Sequence, residues 1–160
     1  MTMQTYLALA VGIAAVADDL WRRHIANWIP AAALAGGFAW QVGRSGWSGA
    51  WTALLGTAAG FAVFLVFFLL GGMGGGDVKL MAGFGALLGP ASIGEAALWT
   101  AAVGGLMAVG ALCVNAVRRR GRAKQPVSDE ESKKISEREG SIPYAPAIAL
   151  GVWLTLIPKT

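Results

Sequence analysis

Residues 49–80 read GAWTALLGTAAGFAVFLVFFLLGGMGGGDVKL. Positions 49–70 contain no charged residue, and they are long enough for a helix across a bilayer, which needs about 20 residues. A glycine-rich stretch follows at 71–76, and an acid, Asp77, comes directly after it. This stretch predicts a membrane-spanning helix that ends in a flexible turn carrying one acid.

The rest of the chain also has the composition of a membrane protein. Of its 160 residues, 56% are hydrophobic and 14% are charged, whereas ordinary soluble domains carry about 25% charged residues. We therefore predict an all-α fold, a polytopic bundle of about six transmembrane helices that forms one membrane-embedded domain over residues 1–160. The apolar segments lie at about 3–18, 28–43, 49–70, 78–93, 96–117 and 142–157.

The basic residues predict how the bundle is oriented. Eight of the thirteen Lys and Arg residues lie between Arg118 and Arg138, which indicates a cytoplasmic loop at about 118–141. With the N-terminus outside, the inner side holds eleven of the thirteen and the outer side holds only Arg44 and Lys159. The predicted partner of the protein is the lipid bilayer, and we expect no nucleic acid.

Ionisable groups within or at the edge of a membrane are costly and usually functional. Outside the predicted loop the acids are Asp18, Asp19, Asp77 and Glu95. The predicted topology places the three aspartates at the cytoplasmic edge and Glu95 in an exposed connection at 94–95 on the opposite side. A structural alternative exists for the aspartates: Asp77 as an N-cap after a hinge, and the other two as interfacial charges at a helix end.

The glycine-rich stretch carries a family resemblance. Gly74-x-Gly76-Asp77, followed by Val78, Lys79 and Leu80, resembles the GxGD signature of type IV prepilin peptidases, which are intramembrane aspartyl peptidases. Residues 142–151, IPYAPAIALG, resemble the closing helix of the short CpaA/TadV-like members, which lack a methyltransferase part.

The resemblance also assigns the first acid. The family's first aspartate lies in a D-[LI]-x-x-x-x-I-P-N pattern, and alignment on Ile25 and Asn27 places Asp19 there, with Ala26 in the position of the proline. Adjacent residues on a helix point about 100° apart, so Asp18 and Asp19 do not aim at the same partner. Asp18 is expected to face headgroups or water, or to support its neighbour.

The resemblance implies a membrane aspartyl endopeptidase that cleaves the leader peptide of type IV prepilins or pseudopilins. It implies a multi-pass protein of the inner membrane with its active site on the cytoplasmic side, no cofactor and no metal, and the catalytic acids Asp19 and Asp77. Such a pair shares one proton, so that one acid stays neutral while the other activates water. The oligomeric state is left open.

The resemblance implies supporting or substrate-binding roles for Gly74, Gly76, Lys79 and Asp18. The glycines would let Asp77 move toward its partner, or let a substrate backbone approach closely. Lys79 would alter the protonation of the acid pair or bind the acidic side of a substrate. The alternative is a lysine whose side chain extends to the membrane interface.

Other chemistries fit the sequence less well. Residues 43–46 and 46–49 match a short G-x-S-G form of a serine peptidase, but the one histidine, His24, lies on the opposite predicted side. The H-E-x-x-H pattern of zinc peptidases does not occur. A non-enzymatic membrane transport or secretion-assembly protein is the remaining alternative, in which the glycines form a gate and the acids a proton or ion path.

Overall fold

The computed structural model describes residues 2–71, 73–122 and 144–157. The described part consists of helices and turns and contains no strand, which confirms the predicted all-α class. Among the described residues, three helices are long and apolar enough to cross a membrane: α1, α2 and the Pro90–Gly110 part of α4. The helices are α1 (Met3–Arg22), α2 (Trp28–Leu69), α3 (Gly75–Leu88), α4 (Pro90–Arg122) and α5 (Ala145–Thr155).

The segments predicted at 28–43 and 49–70 both belong to α2, and the predicted connection at 44–48 is reduced to one residue. Within α2 only Gly46 leaves the helical conformation, with φ 57° and ψ −132°, a region that glycine adopts readily. A Cβ atom on Gly49 would overlap the carbonyl oxygen of Gln41, although these positions lie about 12 Å apart along a straight helix. The chain therefore reverses at Gly46, and α2 is a hairpin of two arms, 28–45 and 47–69.

The predicted connection at 94–95 is wrong, because the chain leaves the helix earlier. Gly89 has φ 78° and ends α3, and Pro90 begins α4. Glycine after a helix and proline at a first helical position are the residues that favour such a stop and start. Glu95 consequently lies within α4 and is half-buried, and it is not an exposed loop acid.

Helix α4 continues as far as Arg122, so the first residues of the predicted loop at 118–141 are helical. The rest of that loop lies outside the residues that the structure describes. The same holds for Gly72, for Ile142 and Pro143 of the predicted closing helix, and for Lys159.

Helix α3 lies between the two arms of α2 and is buried along nearly its whole length. Gly56 of the second arm and Gly85 of α3 touch backbone to backbone. On the first arm, a Cβ atom added to Gly37 would lie 2.6 Å from the amide nitrogen of Leu87. Small residues allow this close approach between helices in a membrane protein. A helix of 14 residues, apolar except for Asp77 and Lys79 near its start, is thereby enclosed within the bundle.

Both ends of α3 are fixed by polar contacts. At its C-terminal end the side-chain amides of Gln4 and Gln41 donate to the carbonyl oxygen of Leu87, at 3.0 and 3.1 Å. At its N-terminal end Lys79 Nζ donates to Asn27 Oδ1 at 3.0 Å. The bundle thus has two distinct ends, which we name the glutamine end, with Gln4 and Gln41, and the aspartate end, with Asp19 and Asp77.

Exposed tryptophans lie at both ends. Trp47 and Trp51 are exposed beside the reversal of α2, near the glutamine end, and Trp21 and Trp28 are exposed at the aspartate end. Tryptophan is enriched where a membrane meets water. The bundle therefore carries tryptophans at two levels, as expected of a protein that crosses a bilayer.

Helix α5 packs between α1 and α4. Trp153 Nε1 donates to the carbonyl oxygen of Ala8 at 3.2 Å, and a Cβ atom on Gly12 would lie 2.8 Å from the Trp153 ring. On the other side, a Cβ atom on Gly151 would lie 2.7 Å from the amide nitrogen of Thr100. Glycine at each crossing lets α5 lie close to both neighbours, which brings its first residue to the aspartate end.

Candidate active site

Asp77 is held by the start of its own helix. It is the third residue of α3, and its Oδ2 atom accepts the backbone N–H of Gly74 at 3.1 Å. Its own N–H donates to the carbonyl oxygen of Gly74, also at 3.1 Å. These two hydrogen bonds cap the helix and fix the side chain, which is 7% exposed.

Asp19 lies in the last turn of α1, which ends because Arg23 adopts a left-handed conformation with φ 52°. The Arg23 N–H donates to the Asp19 carbonyl oxygen at 2.8 Å. The Asp19 side chain is also 7% exposed, and its Oδ2 atom accepts the backbone N–H of Ala145 at 3.1 Å. Two helices distant in sequence therefore meet at this carboxylate.

The two buried acids lie close enough to act on each other electrostatically. Asp77 lies outside the three helices that are long and apolar enough to cross a membrane. Its pKa is raised from 3.8 to about 6, mainly by burial. The Gly74 N–H opposes this rise, and the negative charge on Asp19 adds to it. Burial and a second carboxylate nearby both favour the protonated form, so Asp77 keeps its proton to a higher pH than an ordinary aspartate.

Asp18 has different partners from Asp19. Its Oδ2 atom accepts the backbone N–H of Ala26 at 2.7 Å, and its Oδ1 atom lies 3.4 Å from Arg22 Nε. Both partners belong to the end of α1 and the turn that follows it. Asp18 therefore braces the turn at residues 23–27, while its neighbour points into the bundle.

Lys79 is exposed, and the partner that the structure gives it is an amide and not a carboxylate. Its Nζ atom donates to Asn27 Oδ1, so it links the first turn of α3 to the turn between α1 and α2. Gly76 makes a second link, because a Cβ atom there would lie 3.3 Å from Ile25 Cβ. The glycine at 76 thus serves close packing between these two segments.

Gly74 contributes a backbone N–H to the site, and its conformation does not require glycine. Its φ of −82° and ψ of 154° are open to other residues, and its N–H is the donor to Asp77. A positive φ occurs earlier in the stretch, at Gly71, with φ 75°. Of these two residues of the glycine-rich stretch, Gly71 therefore has a conformation that favours glycine, and Gly74 does not.

The donor to Asp19 was not predictable from the sequence, because it is a backbone group at the start of α5. The resemblance of residues 142–151 pointed to this segment but not to the contact. Beside it is an apolar cavity of about 200 Å³. Met73 and Tyr144 line this cavity, and each is followed in the chain by a residue whose N–H binds one of the acids. Its other lining residues include Phe64, Phe67 and Thr100.

Other chemistries find no support in the arrangement of the described residues. Among them, no group of three or more His, Cys, Asp or Glu side chains is placed to hold a metal ion. Ser45 and Ser48 lie beside the reversal of α2, whereas His24 precedes its first arm at the aspartate end. The histidine and these serines thus lie at opposite ends of that arm, too far apart for acid–base assistance.

Comparison with known proteins bears on the same residues. The family model of the type IV leader peptidase family matches residues 6–109, well over half of the chain. Both Asp19 and Asp77 fall within this match, and Ala145 falls beyond it. Comparison with curated proteins and with solved structures gives no match. On the strength of the family match, together with the apolar helical bundle that carries it, the chain belongs to the type IV leader peptidase family.

Proposed function

We propose that this chain is a membrane aspartyl endopeptidase that cleaves the leader peptide of type IV prepilins or pseudopilins, with Asp19 and Asp77 as its catalytic pair. One observation carries the proposal: two acids from different helices are buried at one end of the bundle, and each accepts a backbone N–H. Burying acids in an apolar bundle costs free energy, and acids that are retained there usually serve a function.

The chemistry follows from a pair that holds one proton. The ionised acid takes a proton from a water molecule, whose oxygen attacks the carbonyl carbon of the scissile peptide bond. The neutral acid gives its proton to the carbonyl oxygen, so a tetrahedral intermediate forms. When this intermediate collapses, the C–N bond breaks, and the acid that took the proton of water gives it to the leaving nitrogen. The other acid takes back the proton it had given to the former carbonyl oxygen, so the pair is again singly protonated.

The proposed topology places this chemistry at the cytoplasmic face of the inner membrane. Six helical segments, namely α1, the two arms of α2, α3, α4 and α5, would form one peptidase domain with the N-terminus outside. Arg22, Arg23 and Lys79 lie at the aspartate end, and the arginines of 118–122 end α4. Positive charge gathers on the cytoplasmic side of membrane proteins, where the basic leader of a prepilin would also lie.

A cleavage assay tests the proposal directly. A pilin-like protein with its leader peptide is incubated with the purified full chain in detergent or liposomes, and the released leader is measured. We expect Asp19→Asn and Asp77→Asn each to lower the rate at least about a hundredfold, which is within the range for loss of a general acid or base. Asp18→Asn is the matched control, and a loss of less than about tenfold is expected for it.

The assay also has clear adverse outcomes. Cleavage that persists in Asp77→Asn would remove the aspartyl mechanism. A wild-type chain that cleaves no pilin-like substrate but conducts protons or ions across liposomes would support the non-enzymatic alternative in place of the peptidase.

A further inference from the structure

The N-terminus of α5 reaches the carboxylate of Asp19 although 126 residues separate the two in sequence. The contact is buried and joins the Ala145 N–H to Asp19 Oδ2 at 3.1 Å. Ala145 lies beyond residues 6–109, the part that matches the family. The contact therefore adds to the site a group that the family match does not cover.

We propose that the N-terminus of α5 is a positioning element of the active site, in which the Ala145 N–H holds the Asp19 carboxylate in its working orientation. The inference rests on the proposed peptidase function. It makes α5, together with α1 and α3, one of the three helices from which the site is assembled.

The two acids are held in matching ways. Asp77 accepts the N–H of Gly74, the residue before α3, and Asp19 accepts the N–H of Ala145, the first residue of α5. In both cases the acceptor is Oδ2 and the length is 3.1 Å. A hydrogen bond from a backbone N–H to a carboxylate is charge-assisted and is stronger than a neutral one. Each bond fixes the rotation of its carboxylate, so that Oδ1 can be presented to water or substrate.

The position of the donor is itself set by packing along α5. Trp153, near the other end of this helix, bonds to Ala8 on α1, which lies about 16 Å from Asp19 along that helix. Tyr144 packs on Gly104 of α4, where an added Cβ atom would lie 3.1 Å from the tyrosine ring. Because α5 is fixed near both ends, its first N–H has little freedom to leave the carboxylate.

The test removes this N–H without changing any side chain. Nonsense suppression with the α-hydroxy analogue of alanine replaces the amide at position 145 by an ester in the full-length chain. This exchange also weakens the Tyr144 carbonyl as an acceptor, and that carbonyl accepts the N–H of Ile148 at 3.1 Å. The matched control is therefore an ester at Ile148, which removes the donor of that same helical hydrogen bond and leaves Asp19 untouched.

Leader cleavage gives the first readout. We expect the ester at 145 to lower kcat at least about tenfold with KM changed less than about twofold, and to move the acid limb of the pH–rate profile to higher pH, because an N–H donor favours the ionised acid. The ester at 148 should leave the pH–rate profile in place and change kcat less than about threefold. Equal effects of the two esters would overturn the positioning role.

A second readout does not depend on activity, so failure of this inference can be told apart from failure of the proposed function. Thermal unfolding is measured for the ester at 145, for Asp19→Ala, which removes the acceptor, and for the two combined, and the same cycle is run with the ester at 148. We expect the first cycle to be non-additive and the second to be additive. Additivity in the first cycle would overturn the contact, whether or not the wild-type chain cleaves a prepilin.

Discussion

Lys79 Nζ donates a hydrogen bond to Asn27 Oδ1 at 3.0 Å, which joins the first turn of α3 to the turn between α1 and α2. Asp77 lies two residues before the lysine, and Asp19 lies in the helix that ends just before the turn. The bond therefore spans the two segments that carry the acids. Together with the packing of Gly76 on Ile25, it maintains their spacing.

We predict that Lys79→Met lowers the cleavage rate by about three- to tenfold and that Asn27→Ala has a similar effect. An exposed hydrogen bond of a charged group stabilises a structure by about 1 kcal/mol, and for this reason we expect only about a three- to tenfold effect on the rate. The double variant should be little worse than either single one. If Lys79→Met abolished cleavage while Asn27→Ala had no effect, the lysine would act on the substrate and not on the turn.

We predict that Asp18→Ala destabilises the protein by about 1–2 kcal/mol, because the part-buried Ala26 N–H loses its acceptor. Cleavage should fall by less than about tenfold when it is measured well below the unfolding temperature. Asp19→Ala is the comparison, since it should abolish cleavage. A full loss of activity in a folded Asp18→Ala protein would contradict the separation of the two roles.

The raised pKa of Asp77 predicts a pH-dependent stability. Between 3.8, its ordinary value, and about 6, the folded chain keeps the proton that the unfolded chain releases, so stability falls as the pH rises through this window. Above about pH 6 the ionised form costs at most about 3 kcal/mol. Asp77→Asn does not ionise, and we expect it to raise Tm relative to wild type at pH 7.5 and much less at pH 4.

The control is the difference in Tm between wild type and Asp18→Asn, measured at the same two pH values, because the Asp18 side chain lies at the turn. The difference in Tm between wild type and Asp77→Asn should shrink steadily as the pH is lowered. A difference that is the same at both pH values would contradict the raised pKa.

Two neighbouring glycines test how closely α3 is enclosed. An added Cβ at Gly37 would lie 2.6 Å from the Leu87 nitrogen, whereas at Gly36 nothing lies within 4 Å. We predict that Gly37→Ala destabilises the bundle by about 1–3 kcal/mol, the usual cost of overpacking. Gly36→Ala should be neutral or stabilising by up to about 1 kcal/mol, as alanine is the better helix former. Thermal unfolding in one detergent compares them, and equal Tm values would contradict the packing.

A second pair of neighbours tests how α5 is seated. Gly104 faces Tyr144, while an added Cβ at Gly105 would have no neighbour within 4 Å. We predict that Gly104→Val displaces the start of α5 and lowers cleavage at least about tenfold, and that Gly105→Val changes it less than about twofold. Both variants place the same side chain on the same helix, so they share the same cost in helix propensity. Equal activity of the two would argue against the seating of α5 on α4.

The sequence predicted much of this architecture, and its failures have physical causes. The helical class and most apolar segments follow from composition. The boundary at Gly89 and Pro90 was missed because hydropathy continues across it, although the two residues are themselves a stop and a start. The reversal at Gly46 was expected as a longer connection, since helical geometry on both sides of a single residue leaves no mark on hydropathy.

In the candidate site, too, some groups were predictable from the sequence and others were not. Asp77 is marked by its glycines, and the choice of Asp19 over Asp18 depends on spacing to Ile25 and Asn27. The Ala145 N–H was not predictable from residue types, because every residue except proline carries such a group and only the packing of α5 selects this one. Backbone donors to side chains in another helix are, for this reason, found from coordinates.

The distance in sequence between Asp19 and Ala145 has a consequence for biosynthesis. The ribosome must add 126 further residues after Asp19 before the donor of its hydrogen bond exists. At translation rates of about 5–20 residues per second, this takes roughly 6–25 s. If α5 has the proposed positioning role, a nascent chain lacks the group that orients Asp19 until α5 has been synthesised and has docked.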